Sequence, residues 1–419
     1  MKTELLIHSA AQLCVAPPQN GGPQRGHGLG DLGLIKDGAV ACSDGRIVAV
    51  GLTDDIRAEC QAAVELDASG KVVCPGFVDP HTHLVWAGDR ASEFEQRVRG
   101  ATYMEIMAAG GGIMSTVHAT RAATLDQLVQ ETLPRLDRML AHGSTTVEAK
   151  TGYGLTTADE LKLLAAIAAL DAKHPATLVP TFLGAHAVPA EYRADADGYV
   201  DLVVDDMLPA VKAQEPELQP RFCDVFCEEG AFSLDQTRRI LESARALGFG
   251  LKVHVDEFKP LGGTALAVEL GATSADHLVC TPQPEIEELG QSATVAVALP
   301  ATPFGLAHGD YTPAQAILDA GGTLALATDC NPGTAWCESV PFTIALACRY
   351  LHLTPGQALV AVTLNAAYAV GLGDEIGSLT AGRAADILIL DLPDYRHLGY
   401  RFGTNPVETV VKNGRVVLG

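Results

Sequence analysis

Basic residues are scarce. Lys and Arg total 29 against 51 Asp and Glu, a net charge of −22. A surface this acidic repels phosphate backbones and anionic lipid, which argues against nucleic acid or a membrane surface as partner. No apolar run approaches the ~18 residues that a spanning helix needs. The N-terminal MKTELLIHSA has one Lys but lacks the long apolar stretch of a secretory signal. Cysteine is dilute, at ten in 419 residues with no CxxC pair, which excludes a disulfide scaffold. Cys223 and Cys227 stand four apart in FCDVFCEE, which reads as a buried strand. Reduced thiols in a cytoplasmic protein are the expectation. Charged residues are 19% of the chain and hydrophobic residues 47%, so intrinsic disorder is excluded and a large core is within reach. The length fits two or three domains, or one large barrel with an appendage. Small polar metabolites remain as the ligand class.

What is present falls into two styles. Residues 1–70 read as short strands with tight turns. GAVACSDGRIVAVG is two apolar runs joined through Asp44-Gly45, a hairpin signal. The preceding PPQNGGPQRGHGLGD reads as an exposed Gly/Pro-rich loop. The C-terminus returns to the first style, with AADILILDL and then ETVVKNGRVVLG turning at Asn413-Gly414. These ends predict one small β-sandwich domain, built from residues 1–70 and 373–419, beside a domain of residues 71–372. In that middle part, runs rich in β-branched residues alternate with Ala/Leu-rich stretches of helical spacing. The eight runs are VVCPGFVDPHTH, STTVEAK, TLVPTFLGAH, FCDVFCEE, GLKVHVDE, ATSADHL, ATVAVALP and GTLALATDC. The helical stretch TADELKLLAAIAALDAKH has Thr157 as predicted N-cap, with Glu160 three residues on. Near-continuous apolar strands alternating with helices predict a parallel sheet covered by helices. Eight such units fit a closed (β/α)8 TIM-like barrel with its active site at the C-terminal strand ends. An open doubly wound sheet is the alternative.

Residues capable of chemistry gather at those ends. His81-Thr82-His83 closes the first run, His186 the third, and Asp329 stands near the end of the eighth. The fifth contains His254 with Glu257 three residues later, and the sixth reaches Asp276-His277. Alternate residues of a strand share a face, so His81 and His83 can both point into the barrel mouth. Imidazole nitrogens suit zinc or iron, and a carboxylate can complete a set with one position left for water. One His at a strand end is usually a hydrogen-bonded core or surface residue, and a lone Asp there can cap a helix. Several His and an Asp arriving together at the strand ends of one barrel point to a metal.

PGFVDPHTHLVWAGDR resembles the first-strand signature of the amidohydrolase superfamily and, within it, the imidazolonepropionase family. Similar stretches cover nearly the whole chain: RVRGATYMEIMAAGGGIMSTVHATR, GSTTVEAKTGYGL, PTFLGAHAVPAEY, DVFCEEGAFS, VDEF, TDCNPGT and DYRHLGYRFGTNPVETVVKNGR. The HxH pattern is shared by many amidohydrolases, whereas WAGDR, GGGI with ATR, and KTGYGL are together far more specific. LPATPFGLAHGDY, after the seventh run, departs from the LPGA-like start of the family. The resemblance implies opening of the cyclic amide of 4-imidazolone-5-propanoate by water to N-formimidoyl-L-glutamate, in histidine degradation. It also implies one Zn2+ or Fe3+ per chain and a homodimer. Its metal ligands match His81, His83, His254 and Asp329. Arg90 matches the residue that holds the substrate carboxylate, while Tyr153, His186, Glu257, Asn331, Gly333 and Thr334 match substrate-contact positions. His277 matches a histidine that assists the water.

That chemistry needs a nucleophile, an electrophile-stabilising group and a proton donor for the departing nitrogen. A bound metal lowers the pKa of water to ~7, which gives hydroxide near neutral pH. His277 or Asp329 would orient that water or take its proton, and His186 would steady the oxyanion. Glu257 would carry a proton to the leaving nitrogen. The planar fork of Arg90 would pair bidentately with the propanoate, unless it is spent on Asp89 or Glu93. GGGIMSTVHATR is not a phosphate loop, because it lacks GKS or GKT and a preceding strand. It reads as a loop or helix start near the substrate, with Arg121 in that shell. A deaminase of an amino-heterocycle is the nearest alternative function, but an uncharged base offers Arg90 no carboxylate. A non-catalytic scaffold of the same fold is the third, and such proteins typically lose metal ligands.

Overall fold

Asp44-Gly45 and Asn413-Gly414 hold both residues at positive φ, 52° and 72° in the first pair, 48° and 73° in the second. Two successive left-handed residues are what a two-residue type I′ turn requires. They fold Gly38–Ser43 onto Arg46–Leu52 and Val407–Lys412 onto Arg415–Leu418 as antiparallel hairpins. The computed structural model describes residues 1–101, 105 and 111–419. In it, the first hairpin joins Lys2–Ala10 and Gln61–Asp67 in a four-stranded sheet. The second joins Ile387–Leu390, Val72–Pro75 and Gln12–Leu13 in a five-stranded one. Leu5, Ile7, Val40 and Ile47 from one sheet meet Leu13, Val73, Ile387 and Val411 from the other in a shared core. The chain's two ends thus build one β-sandwich.

The middle folds as eight parallel strands, each hydrogen-bonded to the next in chain order. They are Phe77–Asp79, Ser144–Lys150, Thr177–Ala185, Phe222–Cys227, Gly250–Val255, Ser274–His277, Val295–Ala298 and Thr323–Leu326. Helices cover them, as the apolar runs require. The first run differs from its sequence reading, because VVCPGFVD is two strands. Val72–Pro75 pairs with Ile387–Leu390 in the sandwich, and Phe77–Asp79 pairs with the second barrel strand. Gly76 makes the crossing. A Cβ there would lie 2.3 Å from Oγ1 of Thr145, so only glycine lets the chain pass between the sheets.

The eighth and first strands join at their C-terminal ends. Thr328 donates its N–H and hydroxyl to the Asp79 carboxylate at 3.0 and 2.6 Å. The N–H of Asp329 bonds the carbonyl of His81 at 3.1 Å, and that of His83 bonds Cys330 at 3.0 Å.

Two further readings are corrected. Thr156, rather than Thr157, caps the helix Thr157–Asp171, accepting from the Asp159 N–H at 3.1 Å. Glu160 turns back instead and accepts from the N–H groups of Gly152, Gly154 and Leu155. The Gly/Pro-rich segment is clamped as well as surface-lying. Its Gln24 is buried, and Arg25 donates to the carbonyls of Gly290, Ser292 and Gly321 at 2.8, 2.8 and 3.1 Å. Those carbonyls precede the seventh and eighth strands, at the end of the barrel away from the histidines. Among the described residues no helix is long and apolar enough to cross a membrane. Cys223, Cys227 and the other eight cysteines are free thiols.

Candidate active site

The chain leaves every barrel strand at the same end, and that brings the predicted residues together. His81 and His83 lie just beyond the first strand, and with His254 they offer ring nitrogens within 4.8 Å of one another. All three rings are buried. Nε2 of His83 and Nε2 of His254 stand 3.4 Å apart, and Nε2 of His81 has no hydrogen-bond partner. Burial, then the charge of Lys150, holds His81 well below the ordinary histidine range; burial, then His186, does so for His83. Converging ring nitrogens, buried from water, are costly to leave unpaired and are relieved by a cation between them. Asp329 arrives from beyond the last strand. Its Oδ1 is 3.6 Å from Nε2 of both His81 and His83 and has no hydrogen-bond partner. Burial pushes its carboxyl up to about 6. Three imidazoles and a carboxylate are the donor chemistry of a zinc or iron site.

The surrounding shell is equally defined. His186 stacks on His83 with ring centroids 4.7 Å apart, and its Nδ1 donates to the Gly152 carbonyl at 3.0 Å. Burial pushes His186 down to about 3, so the ring is neutral. With its proton on Nδ1, its Nε2 accepts and does not donate. Tyr153 sits 5.3 Å from that ring. Oε2 of Glu257 lies 3.6 Å from Nε2 of His277. Burial, then the charges of Asp329 and Glu228, push the Glu257 carboxyl well above the usual range.

Arg90 bonds Glu93 through Nε at 3.0 Å, which leaves its two terminal nitrogens to other partners. A Cβ on Gly333 would come within 2.4 Å of one of them, so the guanidinium lies against the loop after the last strand. Asn331 spends its amide inside that loop. Its Oδ1 accepts from the N–H groups of Gly333 and Thr334, both at 2.8 Å, and its Nδ2 donates to the Asp329 carbonyl at 2.7 Å. Arg121 donates to the Gly154 carbonyl at 2.6 Å and pairs with Glu191 at 2.8 Å, bracing the Tyr153 loop. Gly110, first of the three glycines in GGGI, lies outside the described residues; Gly112 begins the helix Ile113–Ala122 at φ 78°.

The amidohydrolase family model matches residues 72–417. An imidazolonepropionase of Herpetosiphon aurantiacus is 57% identical over 416 residues, covering 98% of this chain and 96% of its own. One of Chloroflexus aggregans is 54% identical, covering 99% and 98%. The chain belongs to the imidazolonepropionase family of amidohydrolases. It is a hydrolase. An adenosine deaminase from Xanthomonas campestris, solved with bound zinc, shares the fold of this family member at a TM-score of 0.71. That likeness covers 100% of this chain and 93% of the other at 21% identity, and is one of fold alone.

Beneath the histidines of this imidazolonepropionase-family site lies a layer of which sequence reasoning singled out only Asp276. Nδ1 of His81 meets Asp276 at 2.6 Å, and Nδ1 of His254 lies 3.0 Å from Asp224. Such contacts fix which ring nitrogen faces a metal. Lys150 stands 2.7 Å from Asp224, 3.0 Å from Glu148 and 3.7 Å from Asp276. Lys252 stands 3.2 Å from Glu148 and 3.9 Å from Asp276. Burial alone would lower the Lys150 ammonium, but Asp224, Glu148 and Asp276 together raise it above its ordinary value. His81, Glu148 and Asp276 also approach closely enough to hold a cation. Two ammonium groups already supply the positive charge those carboxylates call for. The available signal was Lys and Asp inside otherwise apolar strands, in STTVEAK, FCDVFC and GLKVHV.

Proposed function

We propose that this protein opens the cyclic amide of 4-imidazolone-5-propanoate with water, giving N-formimidoyl-L-glutamate in histidine degradation. His81, His83 and His254 with Oδ1 of Asp329 would hold one Zn2+ or Fe3+. Such an ion, when bound, lowers the pKa of water to ~7 and polarises a carbonyl. The chain's own groups do the rest. Asp329 or His277 orients the attacking water and takes its proton. Glu257, kept protonated by burial, delivers a proton to the departing ring nitrogen. Nε2 of His186 accepts from a substrate N–H, in place of the oxyanion-donor role expected from sequence, because its ring proton is on Nδ1. Arg90, with Nε tied to Glu93, offers its terminal nitrogens to the propanoate. Asn331 supports Gly333 and Thr334, which present the loop.

The observation that carries this reading is a guanidinium fixed against the last-strand loop of a histidine-and-carboxylate cluster. It calls for an anionic substrate. The test is kcat/KM for 4-imidazolone-5-propanoate and for an analogue lacking the carboxylate, with the native protein and Arg90→Met. The substitution is expected to cost about 2–5 kcal/mol on the substrate and little on the analogue. Arg90→Lys restores only part, since it keeps the charge and loses the fork. Additive losses from the two changes would mean that Arg90 does not touch the carboxylate, and would favour a deaminase.

A further inference from the structure

We propose that Thr302 is a positioning residue that fixes the carboxylate plane of Asp329 and so selects the oxygen offered to the metal. This rests on Asp329 as a ligand. Thr302 belongs to Ala301–Leu306, the short helix after the seventh strand, inside the stretch that departs from the family pattern. Its side chain is buried, and its hydroxyl donates to Oδ2 of Asp329 at 2.5 Å. The backbone of Asp329 is committed on both sides: its N–H bonds His81 at 3.1 Å, and its carbonyl accepts from Asn331 at 2.7 Å. With Oδ2 on Thr302, only Oδ1 lacks a partner, and it lies 3.6 Å from Nε2 of His81 and of His83.

The terminal torsion of an aspartate is broad and roughly two-fold, so sterics alone choose neither oxygen nor tilt. A short bond from a hydroxyl to a carboxylate oxygen does choose. Its donor must itself stay put. Gly305, three residues on, packs so tightly that a Cβ would come 2.0 Å from the Thr334 carbonyl oxygen. The short helix is thereby held against the loop after the eighth strand by Gly305 and bonded to it by Thr302.

The test compares native protein, Thr302→Val, Thr302→Ser and Asp329→Asn, each stripped of metal and reloaded with Co2+. Readouts are the visible cobalt spectrum, Co2+ affinity by chelator competition, and kcat and KM. Thr302→Val is expected to shift the spectrum, weaken affinity about 10–100-fold, and lower kcat by a similar factor with KM within about two-fold. Thr302→Ser keeps the hydroxyl and returns all four towards native values. Thr302→Ala removes the hydroxyl without adding bulk, and stands in should the valine variant not fold. Native spectrum and affinity in Thr302→Val or Thr302→Ala overturn the proposal, as does an equal loss in Thr302→Ser. Asp329→Asn separates the two readings. If it leaves the cobalt site unchanged, Asp329 is no ligand; if it alters the site while the hydroxyl-free variants do not, only the role of Thr302 fails.

Discussion

Glu257 keeps its proton at a pH where an exposed glutamate has lost it, because burial and the nearby charges of Asp329 and Glu228 all oppose ionisation. If the protonated form delivers the proton, activity is present below this raised pKa and is lost as pH climbs through it. Glu257→Gln keeps the shape but cannot exchange a proton. It is expected to retain metal, to lose ~10²–10⁴ in kcat, and to lose the alkaline limb of the kcat–pH profile. An unchanged alkaline limb in that variant would assign the proton to another group, with His277 3.6 Å away as the first candidate. The backbone shows the same local emphasis. His277, Leu278 and Asp329 sit at φ 79°, 60° and 52°. Side chains other than glycine resist that region, at a cost of order 1–3 kcal/mol each, and here surrounding bonds hold them there.

Strands carry the charges that steady the histidines. Lys150→Met removes an ammonium shared by three buried carboxylates, Asp224, Glu148 and Asp276, and leaves Lys252 beside the last two. A loss of about 3–5 kcal/mol in urea unfolding is expected, with weaker metal retention through His254. Native stability in Lys150→Met would mean that the layer accommodates the missing charge. These elements also show what was legible. The eight barrel strands could be read because they are apolar nearly throughout, and His81, His83, His254 and Asp329 because each falls at or near a strand end. The salt-bridged layer could not be assembled, since Lys150 and Asp224 are 74 residues apart and meet only through the register of three strands. Periodicity is also blind to a change of sheet, which is why VVCPGFVD read as one strand. Glu160 resembled a capping partner by spacing alone, while the open N–H groups of Gly152, Gly154 and Leu155 had the stronger claim on it.

On the scale of the molecule, Arg25 ties the N-terminal segment to the barrel end away from the histidines, through carbonyls 265 to 296 residues away in sequence. Composition marks that segment as loop and says nothing of so distant a reach. Arg25→Met is expected to lower stability by about 3 kcal/mol, as charged hydrogen bonds disappear, while kcat and KM stay native. Urea titration beside steady-state kinetics checks this, and a changed kcat would mean that the two ends of the barrel communicate. The seam between the last and first strands has a consequence in time. Asp79, His81 and His83 emerge from the ribosome about 250 residues ahead of Thr328 and Asp329, which close the barrel against them. At ~5–20 residues per second, the two early histidines wait roughly 12–50 s for that carboxylate. His254 follows His83 by 171 residues, so all three rings are made before the carboxylate that joins them. The Asp329 carboxylate and the closing seam therefore arrive together, so a site that needs this carboxylate is complete only when the barrel is.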